Sequence, residues 1–173
     1  MPSKGAIDYR KAFDTVSREA LLYKLYNLGV RDRYFECLNV QELKAKIKHI
    51  RKLSESLDVL IGTEQGHPMS PELFKCYLFD LYKNLNNTLY VDAPMLDTER
   101  VTNIFWADNL VLLALDRESL QRLIDTVHQY CTTWGPTVNL EKTAVLVFNK
   151  SGKKLRQSQG LNYGSYKIPS AKE

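Results

Sequence analysis

Two aspartates stand where short apolar stretches of the chain end or turn. Asp8 follows Gly5-Ala6-Ile7, which suits the end of a buried strand, and Asp108 lies in Ala107-Asp108-Asn109 between two further apolar runs. Carboxylates in such places serve metal-dependent phosphoryl transfer, because two divalent cations about 4 Å apart must be held by hard oxygen ligands. Each aspartate alone is more often an ordinary turn or capping residue. The hypothesis of a Mg²⁺ site therefore requires that the fold bring the two together.

A third segment, Gln65 to Phe74, combines a loop glycine with a helix start. Gly66 allows the backbone to approach a ligand closely, and Ser70-Pro71 predicts a helix whose first N–H groups are available to an anion or a base. Taken alone, however, the segment is better explained as a loop that reverses the chain into a capped helix.

Local signals predict strands and helices around these segments. Helices are predicted from Ser17 to Gly29, over about 32–44, from Ser70 to about Asn86, and from Asp116 to Gly135-Pro136. Strands are predicted at about 5–8, 57–61, 104–106, 110–115 and 144–148, with the third and fourth forming a β-hairpin. Trp106 and Trp134 are expected to be core aromatics. The order of elements indicates an α+β domain with helices on one face of a mostly antiparallel sheet.

The size and composition indicate one globular domain. The chain has 173 residues, of which 44% are hydrophobic, and a formal charge of +4, which permits nucleic-acid binding without requiring it. We expect no membrane contact, because no apolar run approaches a membrane span and the first residues lack the apolar core of a signal peptide. The cysteines show no metal-ligand spacing and are expected to be reduced thiols. An intracellular protein, nuclear or cytoplasmic and not secreted, is therefore predicted.

A basic cluster follows the second predicted helix. Lys44, Lys46, Lys48 and Arg51 are candidate nucleic-acid-binding residues, since closely spaced cations can track a phosphate backbone. The alternative is a solvated strand face, which we favour because three of the lysines alternate along the chain.

Together, these segments resemble the reverse-transcriptase palm of non-LTR retrotransposons. The first family block, D-x-x-x-A-F-D, is met by Asp8, Ala12, Phe13 and Asp14. The second, Q-G-x-x-x-S-P-x-L-F, is met by Gln65, Gly66, Ser70, Pro71, Leu73 and Phe74. The third, an aromatic-Ala-Asp-Asp strand turn, corresponds to Trp106-Ala107-Asp108-Asn109, and it is followed by Tyr130-Cys131-x-x-Trp134-Gly135 and Val138-Asn139-x-x-Lys142-Thr143. The blocks keep their order from about residue 5 to 150, which makes the resemblance strong although each block alone is weak.

The resemblance implies a fold and a division of the chain. The fold is the right-hand polymerase palm, a ferredoxin-like βαββαβ antiparallel sheet with its carboxylates at one end. Residues 1–150 would form the palm domain. Residues 151–173 would form a polar tail, in which 162–169 begins a hairpin that the chain does not complete.

The resemblance also implies roles in catalysis. Asp8 and Asp108 would ligate the metal ions, Mg²⁺ or Mn²⁺, and Asn109 stands beside them. Lys142 would lie near the outgoing pyrophosphate as a proton donor.

Nucleotide and template contacts are implied in the same way. Phe13 would crowd the sugar 2′ position and favour deoxynucleotides. The further candidate nucleotide-binding residues are Tyr9, Gln65 and Gly66. RNA or an RNA/DNA hybrid is the implied partner.

Two departures from the family pattern weaken the predicted activity. The third block normally ends in two aspartates, but its second position here is Asn109, whose neutral amide ligates Mg²⁺ far less well than a carboxylate. The chain is also expected to lack the fingers region before the first block and the thumb after the last, so that it cannot clamp a duplex. We therefore predict a palm that is inactive or strongly impaired as an enzyme and holds metal weakly or not at all.

Two further interpretations stay open. One is a domesticated, retrotransposon-derived binding or regulatory module that contacts RNA or a protein partner and keeps a vestigial carboxylate site. The other is residual metal-dependent nuclease or nucleotidyl activity from the two remaining aspartates. Apolar palm surface left exposed would favour self-association or a protein partner.

Overall fold

The computed structural model describes residues 3–33, 35, 44–45, 48–49, 52–53, 55, 57–58, 62–63, 68–147 and 160–169. The chain divides into two compact units, one formed by residues 1–12 and 78–173 and the other by residues 13–77. The domain boundary predicted at residue 150 lies outside the described residues, as do Gln65, Gly66, Lys46 and Arg51.

The helices are α1 (Arg18–Asn27), α2 (Ser70–Asn86) and α3 (Arg117–Trp134). The strands are β1 (Ser3–Asp8), β2 (Lys44–Ala45), β3 (Lys48–His49), β4 (Lys52–Leu53), β5 (Leu57–Asp58), β6 (Met95–Leu96), β7 (Glu99–Arg100), β8 (Asn103–Trp106), β9 (Asn109–Ala114), β10 (Ala144–Val147), β11 (Asn162–Tyr163) and β12 (Tyr166–Lys167). No helix among the described residues is long and apolar enough to cross a membrane.

Three of the four predicted helices agree with these bounds, and most of the helix predicted over about 32–44 lies outside the described residues. Helices begin within a residue of Ser17, Ser70 and Asp116, as their capping and proline signals predict. The helix predicted through residue 44 is wrong at its end, because Lys44 lies in β2 and pairs with Asp58 of β5. Cross-strand pairing of this kind leaves no local signal in the sequence.

A four-stranded antiparallel sheet is the centre of the unit formed by residues 1–12 and 78–173. Its strand order is β10-β1-β9-β8. Along the chain, these strands and the helices between them run β1, α2, β8, β9, α3, β10, which is the βαββαβ order. In the sheet, the first strand, β1, lies between the third, β9, and the fourth, β10. The prediction of an α+β, ferredoxin-like antiparallel sheet is confirmed.

α3 packs on one face of this sheet. Leu120, Leu123, Ile124 and Val127 follow the spacing of a single helix face, and all four are buried. Gly5 of β1 permits the close approach of the helix, because a Cβ atom at that position would lie 3.4 Å from Cδ1 of Leu120.

Residues along the strands alternate between this helical face and the opposite face. Leu110 and Leu112 of β9 are buried on the helical side. Ile104 and Trp106 of β8 lie on the opposite face, and Trp106 is 78% exposed. The expectation that Trp106 belongs to the core is therefore wrong, because the alternation of β8 turns its ring away from α3. Trp134 is half-buried.

Two short hairpins belong to the same unit. β6 pairs with β7 in a stretch that carries no sequence-based prediction, and β11 pairs with β12 where a hairpin is predicted to begin. Gln121 of α3 holds the second hairpin, because its Nε2 donates to the carbonyl oxygen of Asn162 at 2.7 Å and its Oε1 accepts the Asn162 N–H at 2.9 Å. The Val145 N–H of β10 donates to the carbonyl oxygen of Pro169 at 3.2 Å. Residues 160–169 are therefore bonded to the sheet and its helix.

Among its described residues, the unit formed by residues 13–77 contains α1, the first residues of α2 and four short strands. β2 pairs with β5 and β3 with β4, both antiparallel. α1 begins at its predicted cap, where Ser17 Oγ accepts the backbone N–H of Ala20 at 3.3 Å. Lys24 of α1 is buried, and its Nζ donates to the carbonyl oxygen of Tyr77 at 2.9 Å.

The N-cap of α3 gives a pH-dependent contribution to stability. Partial burial alone would raise the pKa of Asp116, but hydrogen bonds from the backbone N–H and hydroxyl of Ser119 outweigh it and hold the pKa below its ordinary value. A carboxyl whose pKa is lower in the folded state stabilises the fold above its unfolded pKa and loses that contribution as the pH falls through the folded value.

Asp116→Ala is expected to lower the free energy of unfolding by about 1 kcal/mol at pH 7, because the first turn of α3 loses its acceptor. The difference from the unaltered chain should shrink as the pH falls below about 4, where the aspartate begins to be protonated in the unfolded chain. Urea unfolding at a series of pH values measures it. A difference that stayed constant down to pH 2 would contradict an ionised cap.

Candidate active site

β1 ends where β9 begins, and the residues paired at that point are Asp8 and Asn109. Residues directly opposite each other in an antiparallel pair point to the same face, with Cβ atoms about 4.5–5.5 Å apart. Trp106 of β8 pairs with Asn109 from the other side. The three residues therefore form one row across three strands, on the face opposite α3.

Asp108 joins this row through the turn between β8 and β9. Because Trp106 pairs with Asn109, only Ala107 and Asp108 connect the strands, one residue fewer than predicted. Ala107 makes the reversal with a φ of +52°, a left-handed conformation that few non-glycine residues adopt. Asn109 donates from Nδ2 to Oδ1 of Asp108 at 3.4 Å. The structure thus brings Asp8, Asp108 and Asn109 to one end of the sheet.

The turn at residues 138–143 packs against the same strand end. The Asn139 N–H donates to the carbonyl oxygen of Asp8 at 2.7 Å, and the Asp8 N–H donates to Oγ1 of Thr143 at 3.5 Å. The Thr143 hydroxyl in turn donates to the carbonyl oxygen of Asn139 at 2.8 Å. This bonding places Nζ of Lys142 3.8 Å from Oδ2 of Asp8.

The charged groups at this sheet end differ in their contact with solvent. The side chain of Asp8 is 23% exposed and that of Lys142 is 70% exposed, while Asp108 is half-buried. Water therefore screens the Asp8 carboxylate less than the Lys142 ammonium group, and an opposite charge that approaches Asp8 gains from this weaker screening.

Asp8 and Asp108 fit a divalent cation that keeps much of its water. Oxygen ligands suit such ions, which proteins often hold through one or two carboxylates together with the phosphates of a substrate. Among the described residues, no group of three or more His, Cys, Asp or Glu side chains is placed to hold a metal ion. Asn109 adds only a neutral oxygen. The two carboxylates would therefore share a cation with water or substrate oxygens.

The side chains behind Asp8 are buried and neutral. Tyr9 is 3% exposed, and burial raises the pKa of its hydroxyl well above the ordinary value. Burial also raises the pKa of the Cys131 thiol to about 11, against the effect of a hydrogen bond with Tyr163. Tyr9 is therefore a core residue, and its predicted nucleotide contact stays a prediction.

The other described residues that are predicted for the site, Phe13, Lys44 and Lys48, are not in the four-stranded sheet. Phe13 belongs to the unit formed by residues 13–77, where its ring centroid lies 5.0 Å from that of Phe74, a contact between the first and second family blocks. Lys44 is in β2 and Lys48 is in β3, which belong to different strand pairs. The nucleotide and nucleic-acid contacts of these residues stay predictions.

Nearly the whole chain matches one known protein family. A sequence model described as reverse transcriptase (RNA-dependent DNA polymerase) matches residues 5–168. The chain belongs to the reverse transcriptase family. It is 32% identical over 142 residues to a retrovirus-related Pol polyprotein of the type-1 retrotransposable element R2 from Popillia japonica, a match that covers 80% of this chain and 23% of that protein.

A second relative is the corresponding R2 polyprotein of Nasonia vitripennis. It is 27% identical over 150 residues, which cover 85% of this chain and 14% of the relative. The predicted membership of the non-LTR retrotransposon branch of the reverse transcriptase family is therefore confirmed. The chain spans less than a quarter of the length of these two relatives.

Telomerases are among the solved structures with a similar fold. Apo telomerase from Candida tropicalis, truncated from its C-terminal domain, matches with a TM-score of 0.66 at 14% identity, over 88% of this chain and 32% of its own. A second structure of apo telomerase from the same organism has a TM-score of 0.64 at 14% identity, over 87% of this chain and 29% of its own. At such identity the likeness shows the fold alone, and it confirms the predicted palm fold.

Local sequence signals do not single out the residues that hold the turn at residues 138–143 against β1. Thr143 and Asn139 are visible in the sequence only as members of a family block. The bond that matters joins Thr143 to Asp8, which lies 135 positions earlier in the chain. Only the pairing of β1 with residues 138–143 reveals it. The spacing of Asn139 and Thr143, which suits one tight turn, is the available local signal.

Thr143→Val is expected to lower the free energy of unfolding by about 1 kcal/mol, because the N–H of Asp8 loses its Thr143 acceptor. The carbonyl oxygen of Asn139 keeps the backbone N–H groups of Lys142 and Thr143 as donors. Thr143→Ser keeps the hydroxyl and should cost clearly less. Hydrogen exchange at the Asp8 amide, followed by NMR, should accelerate in the valine variant only. Equal exchange in both variants would contradict the bond.

Proposed function

We propose that this chain is the palm of an RNA-directed DNA polymerase that performs metal-dependent nucleotidyl transfer, and that Asn109 strongly impairs its activity. The observation that supports the proposal is the pairing of Asp8 with Asn109, beside Asp108, at one end of the sheet. Mg²⁺ or Mn²⁺ is the cation that the oxygen donors suit.

In this reaction the primer 3′ oxygen attacks the α-phosphorus of a nucleoside triphosphate, and pyrophosphate leaves. A bound divalent cation supplies positive charge to the reacting oxygens. Asp8 and Asp108 would provide the negative charge that retains the cation. Pairing with β9 holds the backbone of Asp8, and the two-residue turn between β8 and β9 holds that of Asp108. Lys142, with a largely exposed side chain next to Asp8, is positioned to give a proton to the departing pyrophosphate.

Asn109 weakens this arrangement through charge and through ligand number. Its amide is neutral and offers one oxygen where a carboxylate offers two. The family's aspartate at this position would also place one more negative charge beside Asp8. For scale, a thousandfold loss of rate corresponds to about 4 kcal/mol of barrier.

RNA or an RNA/DNA hybrid is the partner that this chemistry requires. The formal charge of +4 suits a polyanion, and Lys44, Lys46, Lys48 and Arg51 are candidate contacts to its backbone. A nucleic-acid template places the protein inside the cell, in the nucleus or the cytoplasm. We assign residues 1–150 to the palm and residues 151–173 to a segment that follows it, whose hairpin at 162–169 is docked on α3.

Asn109→Asp is expected to raise primer extension on an RNA template by on the order of a hundred- to a thousandfold, since it restores a charged ligand where charge develops. Gel-based single-nucleotide extension with Mg²⁺ and with Mn²⁺ measures the rate.

Asn87→Asp is the matched control, because it makes the same change at an exposed position just after α2. It should leave the rate unchanged, and Asp8→Asn added to Asn109→Asp should abolish the gain. Processive synthesis by the unaltered chain would refute impairment by Asn109. A rate that is low and indifferent to Asn109→Asp would refute the polymerase proposal.

A second candidate function is a binding or regulatory module that contacts RNA or a protein. The observation that favours it is the set of exposed apolar side chains on the sheet face that carries Asp8, namely Ile104, Trp106 and Leu146. Such surface is typical of an interaction site.

If the module binds nucleic acid, Trp106→Ala should weaken binding to a labelled RNA/DNA hybrid about five- to tenfold, because aromatic rings stack on bases. Tyr166→Ala, at another exposed aromatic residue, is the control. Fluorescence anisotropy measures both. Binding that survives Asp8→Asn combined with Asp108→Asn, together with absent primer extension, would favour the module over the polymerase.

A further inference from the structure

The carboxylate proposed to hold the cation already has a positive neighbour. Nζ of Lys142 lies 3.8 Å from Oδ2 of Asp8, whose side chain is only 23% exposed. We propose that Lys142 is a displaceable counter-ion of the cation site, so that its ammonium group and the divalent cation compete for Asp8. The inference deepens the proposed function and depends on it, since it takes Asp8 as a ligand of the cation.

The position of Lys142 is built into the backbone of the palm. The turn that carries Lys142 is fixed to β1 by the hydrogen bond from the Asn139 N–H to the carbonyl oxygen of Asp8 at 2.7 Å. Thr143, the next residue, is buried and accepts the N–H of Asp8. The backbone of Lys142 is therefore held at the site by one main-chain bond and by one bond to the hydroxyl of Thr143.

The free end of the same side chain is able to leave. Lys142 is 70% exposed, and its four-carbon stem is flexible, so the ammonium group can move to water without disturbing the turn. A reversible counter-ion requires both an anchored backbone and an ammonium group that can move.

The small number of carboxylates at this end of the sheet increases the effect of Lys142. Asp8 and Asp108 carry two negative charges, and Lys142 neutralises half of that charge. With an aspartate in place of Asn109, the same lysine would neutralise only a third of it. The lysine should therefore oppose cation binding more strongly here than beside three carboxylates.

Competition has a reciprocal consequence. If the ammonium group lowers the affinity of the site for a cation, a bound cation must weaken the contact of the ammonium group with Asp8 by the same coupling free energy. Binding of the cation should therefore increase the exposure and chemical reactivity of Lys142.

The first experiment titrates the whole chain with Mn²⁺ at low ionic strength and measures bound ion by electron paramagnetic resonance. Lys142→Met is expected to bind Mn²⁺ about two- to fivefold more tightly than the unaltered chain, the range for partly exposed ion pairs. Lys142→Arg, which keeps the charge, should stay close to the unaltered chain. The difference should shrink at high salt, because screening weakens exposed pairs.

Lys83→Met is the matched control for net charge. Lys83 is exposed on α2, where its Nζ lies 4.6 Å from the ring centroid of Phe79. Its substitution removes the same charge from the same unit and should leave Mn²⁺ affinity unchanged. Thermal unfolding of each variant checks the fold.

The second experiment measures the rate of reductive methylation of Lys142 by mass spectrometry, with and without Mn²⁺. The rate should rise when Mn²⁺ is bound, while that of Lys83 stays constant. In Asp8→Asn, Lys142 should react fast in both conditions.

The outcomes separate this inference from the proposed function. If Asp8→Asn abolishes Mn²⁺ binding but Lys142→Met binds as the unaltered chain does, the cation site stands and the counter-ion is refuted. If Mn²⁺ binds equally well to Asp8→Asn, or to none of the variants including Asn109→Asp, the cation site itself is refuted and the counter-ion with it.

Discussion

The register between β1 and β9 is the constraint on which the site depends. Ile7 pairs with Leu110, and both are buried on the helical face of the sheet, so Asp8 and Asn109 must point to the opposite face. A slip of one residue would move Ile7 out of the core and carry Asp8 toward α3. Burial of apolar side chains on one side thus determines where the carboxylate lies on the other. Gly5 adds to this by admitting α3 close to β1.

The sequence predicts local features well and pairings poorly. The starts of α1 and α3 follow from Ser17 and Asp116, because a cap depends on bonds within one turn of helix. The exposure of Trp106 depends on which face of β8 meets α3, and that face is set by the pairing of β8 with β9. Similarly, Lys44 lies in a strand because it pairs with Asp58, which is distant in the sequence. The contact of Lys142 with Asp8 joins distant parts of the chain, so only the family resemblance suggests that the lysine belongs to the site.

Asn109 separates the requirements of the fold from those of the chemistry. The sheet needs a residue that pairs through its backbone with Asp8 and Trp106, and an amide serves as well as a carboxylate. Beside Asp8 and Asp108, a third carboxylate would add repulsion whenever no cation is bound. The amide removes that repulsion and donates to Asp108. The same residue therefore reduces repulsion between acidic side chains at this end of the sheet, and under the proposed function it would weaken their hold on a metal ion.

The docking of the β11–β12 hairpin has a consequence for growth of the sheet. β10 and β8 are its two edge strands, and the N–H of Val145 in β10 is already bonded to Pro169 beyond β12. Proline has no N–H group that could donate a hydrogen bond to a further strand. An additional strand, from a second polypeptide or from elsewhere in a longer one, would therefore be recruited at β8, whose exposed side chains include Ile104 and Trp106.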